Sequence, residues 1–309
     1  MKFAVGRLPF LFCVALAAGI AGLGLRLALG PGAASRSSGA EDPGKDTDPA
    51  WVEPRMPPPT ANPAAGRVPA VDDLRALPQV DQILWVDGLP PGPELTAAEC
   101  RALLAVLRAS DLLAVVRNNA ANRLVARRPL DPTVAEAFMA MYRDEGEDPV
   151  WRDYCVQFVA ESVPALAGDR RVTAVAFLRG VAREDASTIG ATALLQEDRL
   201  VREGTIDPAP DYGRVLGDRL ADSATPGVVR HTLLALIGQG GHREHLPLVR
   251  RHLAEPANDD VKRGALYAIG VLGDVADLPA VERYLADPNP GVARAAAAAR
   301  DRLRLGTQP

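Results

Sequence analysis

Aromatic side chains are scarce: 5% of the 309 residues are Phe, Trp or Tyr, although 48% are apolar. A core with so few rings must be built from alanine and leucine, as close helix–helix packing allows. Positive charge is short as well. Lys and Arg number 35 against 39 Asp and Glu, and residues 71–309 alone hold 28 basic and 34 acidic side chains. A phosphate-backbone partner needs a clustered positive face, so the balance argues against nucleic acid. Catalytic signatures are missing too. Gly238-Gln239-Gly240-Gly241 ends a helix and follows no strand, so it is no phosphate loop, and neither a nucleophile elbow nor a zinc-protease motif occurs.

The three cysteines and four histidines offer little chemistry. Cys100 lies on the apolar side of its helix, and Cys155 aligns with Ala120, Leu233 and Ala265. Both are expected as buried thiols rather than as a disulfide, which needs Cα atoms within ~7 Å. His242 and His245 flank Glu244 but find no third ligand in the nearby sequence. They are expected, with His231 and His252, on a solvated polar face. No metal and no cofactor are expected. Asp144, Glu145, Glu147 and Asp148 form the densest acidic cluster, expected as a solvated turn.

Long apolar runs are absent except one, Leu8–Leu25, preceded by Lys2 and Arg7 and followed by Arg26. Residues 1–30 therefore read as a signal peptide or an N-terminal membrane anchor. Positive charge before the run places the downstream chain on the extracytoplasmic side, exported and either membrane-anchored or periplasmic. Cys13 lacks the small neighbour that lipidation requires and reads as an apolar filler. Residues 31–70, rich in Pro, Gly and Ser, read as a disordered linker. Residues 71–309 carry the helical periodicity.

Repetition, by contrast, is abundant. Val229-Arg230 recurs as Val261-Lys262, Ile237-Gly238 as Ile269-Gly270, Leu246-Pro247 as Leu278-Pro279, and Leu253–Pro256 as Leu285–Pro288, each 32 residues on. Each unit holds two apolar-periodic segments, so the pattern predicts helical hairpins that bury their apolar faces by stacking. Divergent copies extend it backwards. Anchors fall at 117, 152, 190, 230, 262 and 294, spaced by 35, 38, 40, 32 and 32 residues, with Thr205–Pro210 as an inserted loop. Thr96 with Glu99 forms a capping box, Ser110 or Asp111 is expected to open the next helix, and Asn258 and Asp274 stand at N-caps.

Asp287-Pro288-Asn289-Pro290-Gly291-Val292 and Asn258–Gly273 resemble HEAT repeats, most nearly the short bacterial type named after phycobilisome lyases. The resemblance implies an all-α, right-handed α-solenoid of about six stacked hairpins. It implies a non-catalytic scaffold for a protein partner, with a lyase-like or accessory role beside bilin-attaching enzymes as the alternative. Five anchors are basic: Arg117, Arg152, Arg230, Lys262 and Arg294. They are expected as a ladder bonding to neighbouring acids or carbonyls, with Asp111, Asp148, Asp260 and Asp287 as acceptors, rather than as a positive stripe. The family's second helices line a concave face. Helical periodicity then points Asn118, Asn122, Asp153, Gln157, His231, Arg263 and Tyr267 into the groove, as candidate partner-binding residues for a polar peptide or protein surface.

Overall fold

The computed structural model describes residues 70–306, all within one compact unit, Pro59–Pro309. The expected segments 1–30 and 31–69, with Cys13, lie outside the described residues. Among the described residues there are fourteen α-helices and no strand, and no helix is long and apolar enough to cross a membrane. A short pair, α1 (Val71–Arg75) and α2 (Gln79–Asp87), leads six hairpins. These are α3 (Ala97–Arg108) with α4 (Ala114–Ala126), α5 (Pro132–Arg143) with α6 (Pro149–Ser162), and α7 (Gly168–Glu184) with α8 (Thr188–Arg202). Then come α9 (Tyr212–Ala221) with α10 (Gly227–Gln239), α11 (Leu246–Ala254) with α12 (Asp259–Leu272), and α13 (Leu278–Glu282) with α14 (Pro290–Leu305).

Local chemistry sets most of the boundaries. The Thr96–Glu99 capping box is complete: Glu99 N–H donates to Thr96 Oγ1 at 3.2 Å, and Thr96 N–H donates to Glu99 at 2.7 Å. Asn258 accepts the Val261 N–H at 2.9 Å, and Asn289 that of Gly291 at 2.8 Å. Proline fills the first turn of α5, α6, α11 and α14, where a missing N–H costs little. One expectation fails. α4 opens after Leu113 without a side-chain cap, and Asp111 is drawn 36 residues back to Arg75, at 2.7 and 2.9 Å. Asp274 caps as expected, on the 3₁₀ turn that leads into α13.

The even helices from α2 to α14 pack on one another in succession, and the odd helices form the second layer. Contacts between successive even helices are extensive and those between odd helices slight. The even helices are thus the more closely packed layer, the inner one, and the odd helices the outer. Glycine makes the approach possible at the C-terminal end. A Cβ on Gly270 of α12 would stand 2.8 Å from the Ala299 Cα of α14, a distance no side chain tolerates. The chain is thus an α-solenoid of stacked helical hairpins.

In each of the six hairpins the first turn of the inner helix buries an apolar residue: Val116, Trp151, Ile189, Val229, Val261 and Val292. Fully burying such a side chain contributes about 1.5–3 kcal/mol. Phe138 stacks on Phe158 at 5.0 Å between centroids, one of few ring pairs in a core dominated by leucine, valine and alanine.

Candidate functional site

The residue after four of these buried side chains, at 117, 152, 230 and 262, is where the repeat places its basic anchors. Arg117 is only 3% exposed. Its Nε donates to the Leu107 carbonyl at 2.9 Å, its Nη atoms to Glu147 at 2.9 and 2.6 Å, and its guanidinium lies 4.2 Å from the Trp151 ring centroid. Arg152 repeats the first bond ten residues back, donating to the Tyr142 carbonyl at 2.7 Å. Arg230 reaches the Ser223 carbonyl at 2.6 Å, and Lys262 bridges Asp259 at 2.9 Å and Asp287 at 3.1 Å. These cations close the turn between the two helices of a hairpin, or clamp it to the next. They are a ladder, not a stripe.

The ladder's details correct the sequence reading in four places. Of the four expected acceptors only Asp287 serves; Asp148 caps α6 and Asp260 pairs with Arg263. Glu147, expected in a solvated turn, is buried because it takes Arg117's charge. At the fifth place of the ladder, Arg294 is exposed and stands one residue past the register, since Val292 is the buried equivalent of Val261. At the anchor without a base, Gly190, a Cβ would run into the Asp185 carbonyl. The Arg219 guanidinium comes in from α9 instead and donates to the Ala182 carbonyl at 3.1 Å.

The histidines are not a solvated face either. His252 is buried and donates through Nε2 to the Leu220 carbonyl at 3.1 Å; the aligned Tyr284 makes the same bond to Leu253 at 2.6 Å. His245 donates to the Gly213 carbonyl at 2.7 Å. His252 and Tyr284 therefore share one duty, satisfying a carbonyl of the preceding hairpin, whereas Asp277, aligned with His245, accepts from Arg250 instead. Burial holds His252 below the usual histidine range, against the bond to Leu220, which favours protonation. Cys100 and Cys155 are both buried and unpaired, and burial pushes the Cys155 thiol up to about 12.

All seven candidate partner-binding residues lie on inner helices, but they are not equally available. Asn122 is exposed and lines an open cleft of about 380 Å³ with Asp87, Asn119 and Arg123. Arg263 is exposed and paired with Asp260. Asn118 is half-buried on α4. Asp153 and Gln157 hold each other at 2.9 Å, and burial raises the Asp153 carboxyl despite bonds from Thr192 and Gln157. His231 Nδ1 lies 2.8 Å from the Asp260 carbonyl, tying α10 to α12. Tyr267 covers Gly238 and lies beneath the Arg302 guanidinium, 5.4 Å from its ring centroid. The layer brings these residues along one face, and the last four named also work inside the fold.

Residues 214–300 match the family model for HEAT repeats. Over that stretch the chain carries HEAT repeats. No curated protein and no solved structure matches. The matched stretch covers the four helices α10–α13, nearly all of α9 and the first two-thirds of α14, the regular 32-residue part of the HEAT array. The earlier hairpins share its layer plan with longer, variable spacing.

Sequence reasoning missed two features of this solenoid. Val115, Val150 and Val228, immediately before the buried side chains, are 44%, 60% and 53% exposed. Identity with core residues hid them, because the sequence cannot say which of two adjacent apolar residues (Val115-Val116, Val150-Trp151, Val228-Val229) faces in. The second feature is a cleft of about 420 Å³ where the Thr205–Pro210 insertion widens the stack, lined by Asp198, Arg202, Tyr212, His242 and Glu244 among others. Only the 40-residue spacing signalled it.

Proposed function

We propose that this chain is a non-catalytic scaffold that holds a protein partner along its inner helix layer. The observation that carries the reading is the division of labour on the inner helices. The cations Arg117, Arg152, Arg230 and Lys262 are engaged inside the fold, while Val115, Asn122, Val150 and Val228, with Arg263, which pairs with Asp260 on its own helix, form an exposed succession. Binding surfaces mix apolar anchors with amide and charged groups in this way. HEAT repeats as a class favour protein binding, and a stack of rigid hairpins supplies a long surface without a hinge. The apolar run at Leu8–Leu25 with Lys2 and Arg7 before it supports export, with residues 1–30 as membrane tether or signal and the solenoid on the extracytoplasmic side.

The test is co-purification from detergent-solubilised membranes using the full chain. Asn122→Ala with Arg263→Ala is the apt variant, because both side chains are exposed, whereas Gln157 and Tyr267 also support the fold. The expected result is loss of the partner with an unchanged melting temperature. Full recovery of the partner by the variant would move the binding site off this face.

A further inference from the structure

We propose that the cleft at the ends of α8, α9 and α10 is a binding site for a cationic side chain, the guanidinium or ammonium group of a partner's arginine or lysine. The site uses none of the residues assigned above to the inner face, so it goes beyond the scaffold reading.

Rings and prolines make its walls. Tyr212 opens α9, and its hydroxyl donates inward to the Leu194 carbonyl at 3.2 Å, which leaves the ring to line the cleft. The His242 ring stands 6.1 Å away between centroids, tilted by 45°. A Cβ on Gly213 would come within 2.8 Å of this imidazole and one on Gly240 within 2.5 Å, so glycine at both places gives the ring its seat. Pro208, Ala209 and Pro210 of the insertion add apolar surface. Aromatic faces attract cations, most strongly where water is partly excluded.

Two carboxylates on the same cleft decide the sign of the ligand. Asp198 is 8% exposed; one oxygen accepts from Arg202 Nε at 2.7 Å, and the other has no hydrogen-bond partner among the described residues. Glu244 is exposed, and its ionic contacts among the described residues are imidazoles, His242 at 3.2 Å and His245 at 3.7 Å. Its own backbone N–H, and then His242, hold the Glu244 carboxyl below the usual carboxylate range.

Arg202 and Arg214 line the cleft too, and both are already paired. Arg202 answers Asp198, while Arg214 bridges Asp218 at 2.9 Å and Asp211 at 3.2 Å. Asp211 also takes Arg183. Three arginines thus face four carboxylates, and Glu244 is the one that no arginine answers. An anionic ligand would have to displace an aspartate from Arg202 or Arg214; a cation at Glu244 displaces neither. Helix ends act in the same direction. The last residues of α8 and α10 lie on the cleft against one N-terminus, that of α9, and the last turn of α10 has no basic residue to complement its carbonyls.

The experiment uses the full chain and four fluorescein-labelled glycine pentapeptides with arginine, lysine, citrulline or glutamate at the centre, read by anisotropy. Citrulline keeps the shape of arginine without its charge. The arginine and lysine peptides should bind about tenfold more tightly than the other two, and unlabelled N-acetyl-arginine amide should displace them. Glu244→Gln should erase the preference for arginine over citrulline with the melting temperature within a degree or two, and Asp198→Asn should weaken it. Glu136→Gln, which removes an exposed charge from α5, should leave it intact. No binding, equal binding of arginine and citrulline, or tighter binding of glutamate would each overturn the proposal. So would failure of the amide to displace the peptides, a preference that survives Glu244→Gln, or one that Glu136→Gln also removes.

Discussion

Replacing Arg117 by alanine should be the most damaging single change in the basic ladder. The substitution leaves the Glu147 carboxylate buried without its cation, strips a donor from the Leu107 carbonyl and removes the guanidinium from the Trp151 face. Breaking one side of a buried pair costs about 3–5 kcal/mol, because the remaining charge is stranded in the interior. For a unit of this size, 1 kcal/mol moves the melting temperature by about 2–4 °C, so the expected drop is roughly 6–20 °C. The same change at Lys262, whose ion pairs are screened by solvent, should cost far less, and at exposed Arg294 close to nothing. A paired change, Arg117→Met with Glu147→Leu, should recover most of the loss, since replacing both charges by apolar groups strands neither. Thermal melts of the four variants, followed by far-UV circular dichroism, make the comparison. An Arg117→Ala variant that melts within 2 °C of the parent would refute the ladder as a structural device and revive the positive-stripe reading.

The same contacts set further outcomes. Gly270→Val should destabilise by about 1–3 kcal/mol, because its Cβ meets the Ala299 backbone, whereas Gly180→Ala, in open space within α7, should gain about 0.5–1 kcal/mol; denaturant titration separates them. Since burial lowers the His252 pKa, the unfolded chain takes up a proton first as pH falls below about 6.5. Stability that His252 contributes above that pH is therefore lost as pH drops towards the folded-state value. His252→Tyr, which can restore the bond that Tyr284 makes, should flatten the melting temperature between pH 7 and 5; an unchanged slope would absolve His252. Cys155, with its thiol pushed up to about 12, should resist a disulfide-exchange reagent at pH 8 until the chain unfolds, and rapid labelling of the native protein would show that it is not buried.

The repeat made the fold legible. Period, caps and apolar spacing are local properties, so the hairpins, the Thr96 box and the Asn258 cap could be read from residue types alone. Pairings across hairpins could not. Nothing local shows that Asp111 answers Arg75, that Glu147 rather than a neighbouring aspartate meets Arg117, or that histidine and tyrosine at one position make the same bond. The candidate face was legible only as a helix periodicity. That rule found Asn122 and Arg263, but it passed over Val115, Val150 and Val228, because a preference for polar residues discarded apolar side chains that the layer leaves exposed.

Site-specific photocrosslinking in the native cell addresses the central claim most directly. A photoreactive side chain is placed singly at Asn122, Val150 or Arg263 on the inner helices, and at Glu136, Val172 or Arg251 on the outer ones, all exposed. Adducts to one partner protein from the three inner positions, and none from the outer three, are predicted. Adducts confined to the outer positions, or spread evenly over both layers, would contradict the account.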